Sequence, residues 1–154
     1  MNRELIEQYA SGGQKLVQAY WGLTQDELFW QPPDGSWTLH QNAIHMMDSD
    51  LIASDRMKRV ACMELPLLVA YDETGFSKLP GGDSIPAFQA IDLFVKNRQM
   101  TAAILRALPD SAFERCGIHT ESGKVSLAYL VESYIRHLDH HLVFIEKKRA
   151  LMGR

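Results

Sequence analysis

Six histidines are the residues of this chain best suited to chemistry: His40, His45, His119, His137, His140 and His141. Three of them fall in one helical stretch. At about 100° per residue, with Tyr134 at 0°, Leu130, Leu138 and Ile145 lie within about 40° of the reference and form an apolar stripe. On the same projection His137 falls near about −60° and His141 near about −20°, on the stripe, whereas His140 falls near about −120°, outside it. Two imidazoles four residues apart therefore face the core, and the one between them faces away. Such a pair can hold one divalent ion, which is the logic of the HExxH helix. The glutamate of that motif is absent, because Leu138 follows His137, so the segment is not a zincin site. Taken alone, the pair is equally well read as two hydrogen-bonded core histidines.

A third ligand must come from another helix. His45 sits at the edge of an apolar face built from Ile44, Met47 and Leu51. A lone histidine there is more often structural than a ligand. Beside His137 and His141, however, it would complete a three-nitrogen site with coordination positions left over, the arrangement of catalytic rather than structural metals. Asp48, nearly one turn after His45, could orient an imidazole or act as a base; its alternative is a solvated helix carboxylate.

The elements that must position these groups are helical. Residues 3 to 22 carry apolar side chains at spacings near three and four, weakened by Gly12-Gly13. Thr24 caps a short turn, and Pro32-Pro33-Asp34-Gly35 is a loop. A second helix, capped by Ser36 or Thr38, runs from about 39 to 62 and stops before Pro66. A long connection follows from about 64 to 83. A third helix opens at Ser84 and Pro86 and ends near Leu108, before Pro109. Phe113 to Lys124 reads as irregular. Ser126 caps a fourth helix that continues to about Leu151, with Gly153 ending it. No sustained strand alternation, internal repeat or dividing linker is visible. The expectation is one all-α domain over residues 1–154, a four-helix bundle whose long connections permit a topology other than simple up-down-up-down.

Composition narrows the function. The chain has 154 residues, 46% hydrophobic and 23% charged, with a net charge of −3. A weakly acidic chain has no electrostatic reason to bind nucleic acid. Lys147-Lys148-Arg149 is read as the basic last turn of a helix, complementing its dipole. The longest apolar run, Leu65 to Tyr71, falls far short of the roughly 18 residues a membrane span needs. The first residues lack the apolar core of a signal peptide, so a cytoplasmic location is expected. Cys62 and Cys116 form no CxxC pattern and read as reduced, partly buried thiols. Trp21, Trp30 and Trp37 read as core or loop anchors.

Two segments carry a family resemblance. Trp37 to Ser49, with His45 and Asp48, and Tyr134 to Ile145, with His137 and His141, resemble the paired histidine motifs of the DinB/YfiT-like superfamily. Tyr71-Asp72-Glu73, and Phe113-Glu114-Arg115 through His119 to Gly123, resemble further pieces of its YfiT branch. The likeness spans residues 15 to 150. It implies a four-helix bundle of up-down-down-up topology, often a homodimer, with His45, His137 and His141 as ligands of a divalent ion such as nickel or zinc. The YfiT pattern often has another histidine soon after the helix-two aspartate; here Asp50 stands in that position. The family is unrelated to the DNA polymerase that shares its label.

Three neutral imidazoles leave a bound ion its full charge, which suits activation of water or of a thiol. The resemblance favours the second: a metal-dependent transferase joining a low-molecular-weight thiol co-substrate to an electrophilic small molecule. A metal-dependent hydrolase using a metal-bound water is the first alternative, and a non-catalytic metal-binding stress protein the second. Asp48 or Asp72 would serve as base, and Asp72 and His119, in the connecting segments, are candidate substrate contacts.

Overall fold

The computed structural model describes residues 2–154. Four long helices dominate: α1 (Asn2–Tyr20), α3 (Leu39–Cys62), α5 (Ala87–Ala107) and α6 (Leu127–Leu151), with two five-residue helices, α2 (Gln25–Phe29) and α4 (Glu73–Ser77), in the connections. The caps follow the local chemistry. Thr24 and Thr38 each form a capping box, with Glu27 and Gln41 respectively. Ser126 accepts from the Tyr129 N–H at the start of α6.

α1 and α3 each pack against both α5 and α6, so α1 lies diagonally across from α3 and α5 across from α6. Sequential neighbours in a simple up-down-up-down bundle would be adjacent throughout; here α1 and α3 are not. The long connections make this arrangement possible. Its consequence is that α3 and α6, which carry the histidines, lie side by side.

The connecting segments are more ordered than their sequence suggests. A three-stranded sheet joins β1 (Leu67–Leu68), β2 (Cys116–His119) and β3 (Gly123–Ser126) in that order. β1 runs parallel to β2, pairing Leu67 with Ile118, and β2 runs antiparallel to β3, pairing Cys116 with Ser126. The expectation of no strands and of an irregular 113–124 segment is thereby corrected. Strands of two and four residues are too short to show alternation; β2 and β3 form a local hairpin, and β1 joins it from about fifty residues away. Gly117 permits the close pairing: a Cβ there would come within 3.0 Å of the Pro66 carbonyl oxygen and of Val60 Cγ2.

Two apolar clusters fill the bundle. One gathers Ile6, Tyr9, Met57, Val60, Phe113, Leu130 and Tyr134; the other gathers Leu16, Tyr20, Leu39, Met46, Phe94 and Leu138. Arg98 of α5 lies between them, its guanidinium over the rings of both Tyr9 and Phe94. Only 1% of Arg98 and 1% of Asp50 is exposed. Arg98 Nε donates to Asp50 Oδ1 at 2.8 Å, Nη2 to the Tyr134 carbonyl at 2.9 Å and Nη1 to the Tyr9 carbonyl at 3.1 Å. Asn97 completes the satisfaction of Asp50, donating to Oδ2 at 2.7 Å. Gly12 makes room for this layer, because a Cβ there would strike Arg98 and Leu138. The glycine that weakens α1 as an isolated helix is what lets α1 approach α5 and α6.

The other side chains read from the sequence fall variously. Both cysteines are free, but Cys62 is exposed and only Cys116 is partly buried, since Cys62 lies on the solvent side of the last turn of α3. Trp21 is 72% exposed and is not a core anchor, because α1 ends one residue before it. No helix among the described residues is long and apolar enough to cross a membrane.

Candidate metal centre

His45 projects from α3 towards α6, where His137 and His141 occupy one face a turn apart. The ligand-capable nitrogens of the three lie within 4.8 Å of one another. His45 Nε2 is 3.2 Å from His137 Nε2. Two nitrogens at about 2.0–2.1 Å from one tetrahedral ion would stand about 3.3 Å apart, so this pair already has the spacing of co-ligands. Ser49, one turn after His45, places its hydroxyl 3.4 Å from His137 Nδ1. With Nδ1–H directed at that oxygen, Nε2 is the bare nitrogen that faces His45. His141 Nδ1 is buried with no hydrogen-bond partner. An orphaned imidazole nitrogen beside two converging ones fits a divalent ion, since a bound cation would satisfy all three.

Burial sets the protonation state. Desolvation pushes the pKa of His45 and His137 down to about 4 and that of His141 down to about 3, with mutual repulsion among the imidazoles adding to the shift of His137 and His141. All three are neutral at pH 7 and need lose no proton to coordinate. His140 is exposed and packs edge-on to Phe144, outside the cluster, as its helical phase requires. Trp37 lies against His45, with ring centroids 5.0 Å apart, and so lines the cluster.

The spacing of the two helices is held by the buried polar layer. Asp50 lies five residues after His45 on α3, and Tyr134 three residues before His137 on α6. Arg98 bonds to both at once. The residue at the position where the YfiT pattern has a histidine thus belongs to the framework that sets the distance between ligand-bearing helices.

A narrow cleft reaches the cluster at His45. It is lined by Ile44, His45, Asp48, Glu73 and Phe76, among others, and its volume of about 20 Å³ is room for a water and little more. Packing of α4 on α3 brings Glu73 and Phe76 over this opening. Burial raises the pKa of the half-buried Asp48 carboxyl. It also raises that of Glu73, with the nearby Glu121 charge adding to the shift and Arg56 opposing it.

Asp48 therefore stands in the cleft beside His45. The other two candidates do not. Asp72 is exposed and caps α4, its Oδ1 accepting from the Gly75 N–H at 2.8 Å. His119 is partly buried in the hairpin, its Nδ1 accepting from the N–H groups of Glu121 and Ser122, which fixes the turn. Glu73 is the carboxylate that sequence reasoning passed over. Asp72 has the N-cap signature that precedes a helix, and its engagement there would have pointed to its neighbour. His40, also on the cleft wall, is tied by Nε2–H to the Ile85 carbonyl at 2.8 Å and stacks on Phe29.

Comparison with known proteins agrees with this architecture. The family model of the DinB superfamily matches residues 8–145. YfiT of Bacillus subtilis, provisionally named a metal-dependent hydrolase, is 29% identical over 140 residues, covering 90% of this chain and 79% of that protein. A protein of Oceanobacillus iheyensis with the same provisional name is 29% identical over 123 residues, 80% of this chain and 71% of its own. The solved structure of Bacillus subtilis YfiT superposes with a TM-score of 0.91 at 27% identity, covering 99% of this chain and 87% of that one; it is described as having an unusual four-helix bundle topology.

Proposed function

The chain belongs to the DinB superfamily, and from that membership we propose that it is a metal-dependent hydrolase of a small-molecule substrate, with His45, His137 and His141 as ligands of a divalent ion, nickel or zinc. The observation that carries the reading is the convergence of three neutral imidazole nitrogens within 4.8 Å, one of them on His45, which lines a cleft together with Asp48. An ion on three neutral ligands supplies Lewis acidity and lowers the pKa of coordinated water towards about 7. This chain's own residues supply the rest. Asp48 and Glu73 are carboxylates on the cleft wall whose affinity for protons is raised by burial, and either can accept a proton and return it to a leaving group. Phe76 lines the cleft beside them.

Transfer of a low-molecular-weight thiol would use the same ligands. The relatives' names, however, are those of hydrolases and give it no support. Hydrolysis is therefore placed first.

The test begins with elemental analysis of untagged protein beside His45→Ala and His141→Ala. About one equivalent of a divalent metal, lost in both variants, is expected. A panel of carboxylic esters, amides and lactones is then assayed with the loaded protein, alongside thiol conjugation of an electrophile. Metal-dependent hydrolysis that Asp48→Asn lowers by about 10²-fold or more supports the reading. Retention of metal in both histidine variants, or turnover of the electrophile alone, would refute it.

A further inference from the structure

A buried arginine beside the metal cleft has no acidic partner. Arg56, two turns after Asp48 on α3, is 8% exposed. Its Nη1 donates to the Tyr134 hydroxyl at 2.7 Å and its Nη2 to the Val69 carbonyl at 2.6 Å. Its Nε is buried with no partner. A guanidinium carries five N–H donors in a fixed fork, and here neutral oxygens engage only two. A buried cation without a counter-ion is costly, and an anionic ligand would supply the missing charge.

The surroundings favour that role. Arg56 lines a groove of about 380 Å³ between α3 and the 67–71 segment, together with Ile52, Arg59, Val69 and Tyr71. Arg59 is already paired with Asp55 at 2.7 Å, which leaves Arg56 as the uncompensated charge on that wall. The hydroxyl of Tyr71 is buried and also lacks a hydrogen-bond partner. Tyr71 packs on Phe76, with ring centroids 5.1 Å apart, and Phe76 lines the cleft that reaches His45. The groove and the metal cleft are thus separated by one pair of aromatic rings. Both Arg56 and Tyr71 line the groove.

The geometry points to Arg56 and Tyr71 as a subsite for a carboxylate group of the substrate, held one aromatic pair away from the reacting end at the histidines. The guanidinium fork matches a carboxylate, and the phenol adds a third donor. The subsite takes a monoanion. Glu73 and Glu121 are near enough to feel one another, Glu73 also feels Arg56, and His119 feels both Arg56 and Glu121. A dianionic phosphate would meet two acidic neighbours with one cation to offset it. Glu73 is the competing counter-ion, but among the described residues it forms no ion pair with Arg56. The word substrate rests on the hydrolase reading above; the anion subsite does not, because neither Arg56 nor Tyr71 is one of the three histidine ligands.

The test is equilibrium binding of phenylacetate, with phenylacetamide as its neutral match, to the full-length protein as purified and again after chelation. Chelation removes direct coordination of the probe to metal, so the outcome does not depend on whether the metal reading stands. Phenylacetate is expected to bind in both states and phenylacetamide at least about tenfold more weakly. Arg56→Met should weaken phenylacetate by at least about tenfold, Arg56→Lys and Tyr71→Phe by a smaller factor, and Glu73→Gln should tighten it. Should Arg56→Met fail to fold, the ¹⁵N-edited Nε–H resonance of Arg56 in the wild-type protein, assigned through Arg56→Lys, gives the same answer: phenylacetate shifts it and phenylacetamide does not. Equal affinity for acid and amide, no binding of the acid after chelation, or an unmoved Nε–H signal under saturating phenylacetate would each overturn the proposal.

Discussion

Metal binding to this protein should release almost no protons, and the number follows from the burial of its ligands. Three imidazoles of ordinary pKa, about 6.5, are each roughly 90% protonated at pH 5.5, so coordination would expel about 2.7 protons. Desolvation holds His45 and His137 near about 4 and His141 near about 3. At those values the summed protonation at pH 5.5 is below about 0.1, and the release falls with it. The same difference, taken over three sites, spares the protein a loss of about 600-fold in apparent affinity between pH 7 and pH 5.5. Calorimetric titration of the chelated protein with zinc or nickel, repeated at pH 5.5 in two buffers of different ionisation enthalpy, reads the proton count directly. A release of two or more protons would show that the histidines are solvated or turned outward in the metal-free state, and the preformed cluster would be refuted.

The metal-free chain should lose stability as pH falls from about 6.5 through about 4, because the unfolded chain takes up protons on imidazoles that the folded one keeps neutral; urea midpoints at pH 7, 6 and 5 check this, and saturating metal should raise every midpoint while leaving the fall over that range almost unchanged, since the folded cluster is neutral with or without it. His141→Ala should lose the metal with its helical circular dichroism unchanged, whereas His140→Ala should keep both, since His140 faces solvent; the opposite result would put the α6 phase in error. Breaking the buried pair by Asp50→Asn should cost about 3–5 kcal/mol of stability and weaken metal binding as well, because Arg98 ties α3 to α6 through it; thermal unfolding and metal titration together test that link. Gly12→Ala should destabilise by about 1–3 kcal/mol despite the better helix propensity of alanine, because its Cβ meets Arg98 and Leu138; a raised melting temperature would contradict this packing.

The long helices and the inward pair His137 and His141 were legible in the sequence, because a 3.6-residue period and capping residues are local properties. The bounds of α3 and α6, set by Thr38 and Ser126, needed nothing from the rest of the fold. The three-stranded sheet was invisible: β1 meets β2 only across about fifty residues, and the β2–β3 hairpin, though local, has strands of four residues that leave no periodic trace. The same limit applies to the carboxylates. Asp72 and Glu73 are adjacent and alike in sequence, but capping turns one outward and helix α4 carries the other over the cleft.

Periodicity alone placed two imidazoles on one face, and it placed His45 only at the edge of another. That the three meet is a property of which helices are neighbours, set by the diagonal placing of α1 and α3 and by the Arg98 bridge between Asp50 and Tyr134. Their neutrality is likewise tertiary, since a histidine's pKa moves only when other elements exclude its water. Residue type and spacing thus determined what chemistry this chain can do. Packing decided where it is done, because convergence and desolvation require contacts between segments that lie far apart in sequence.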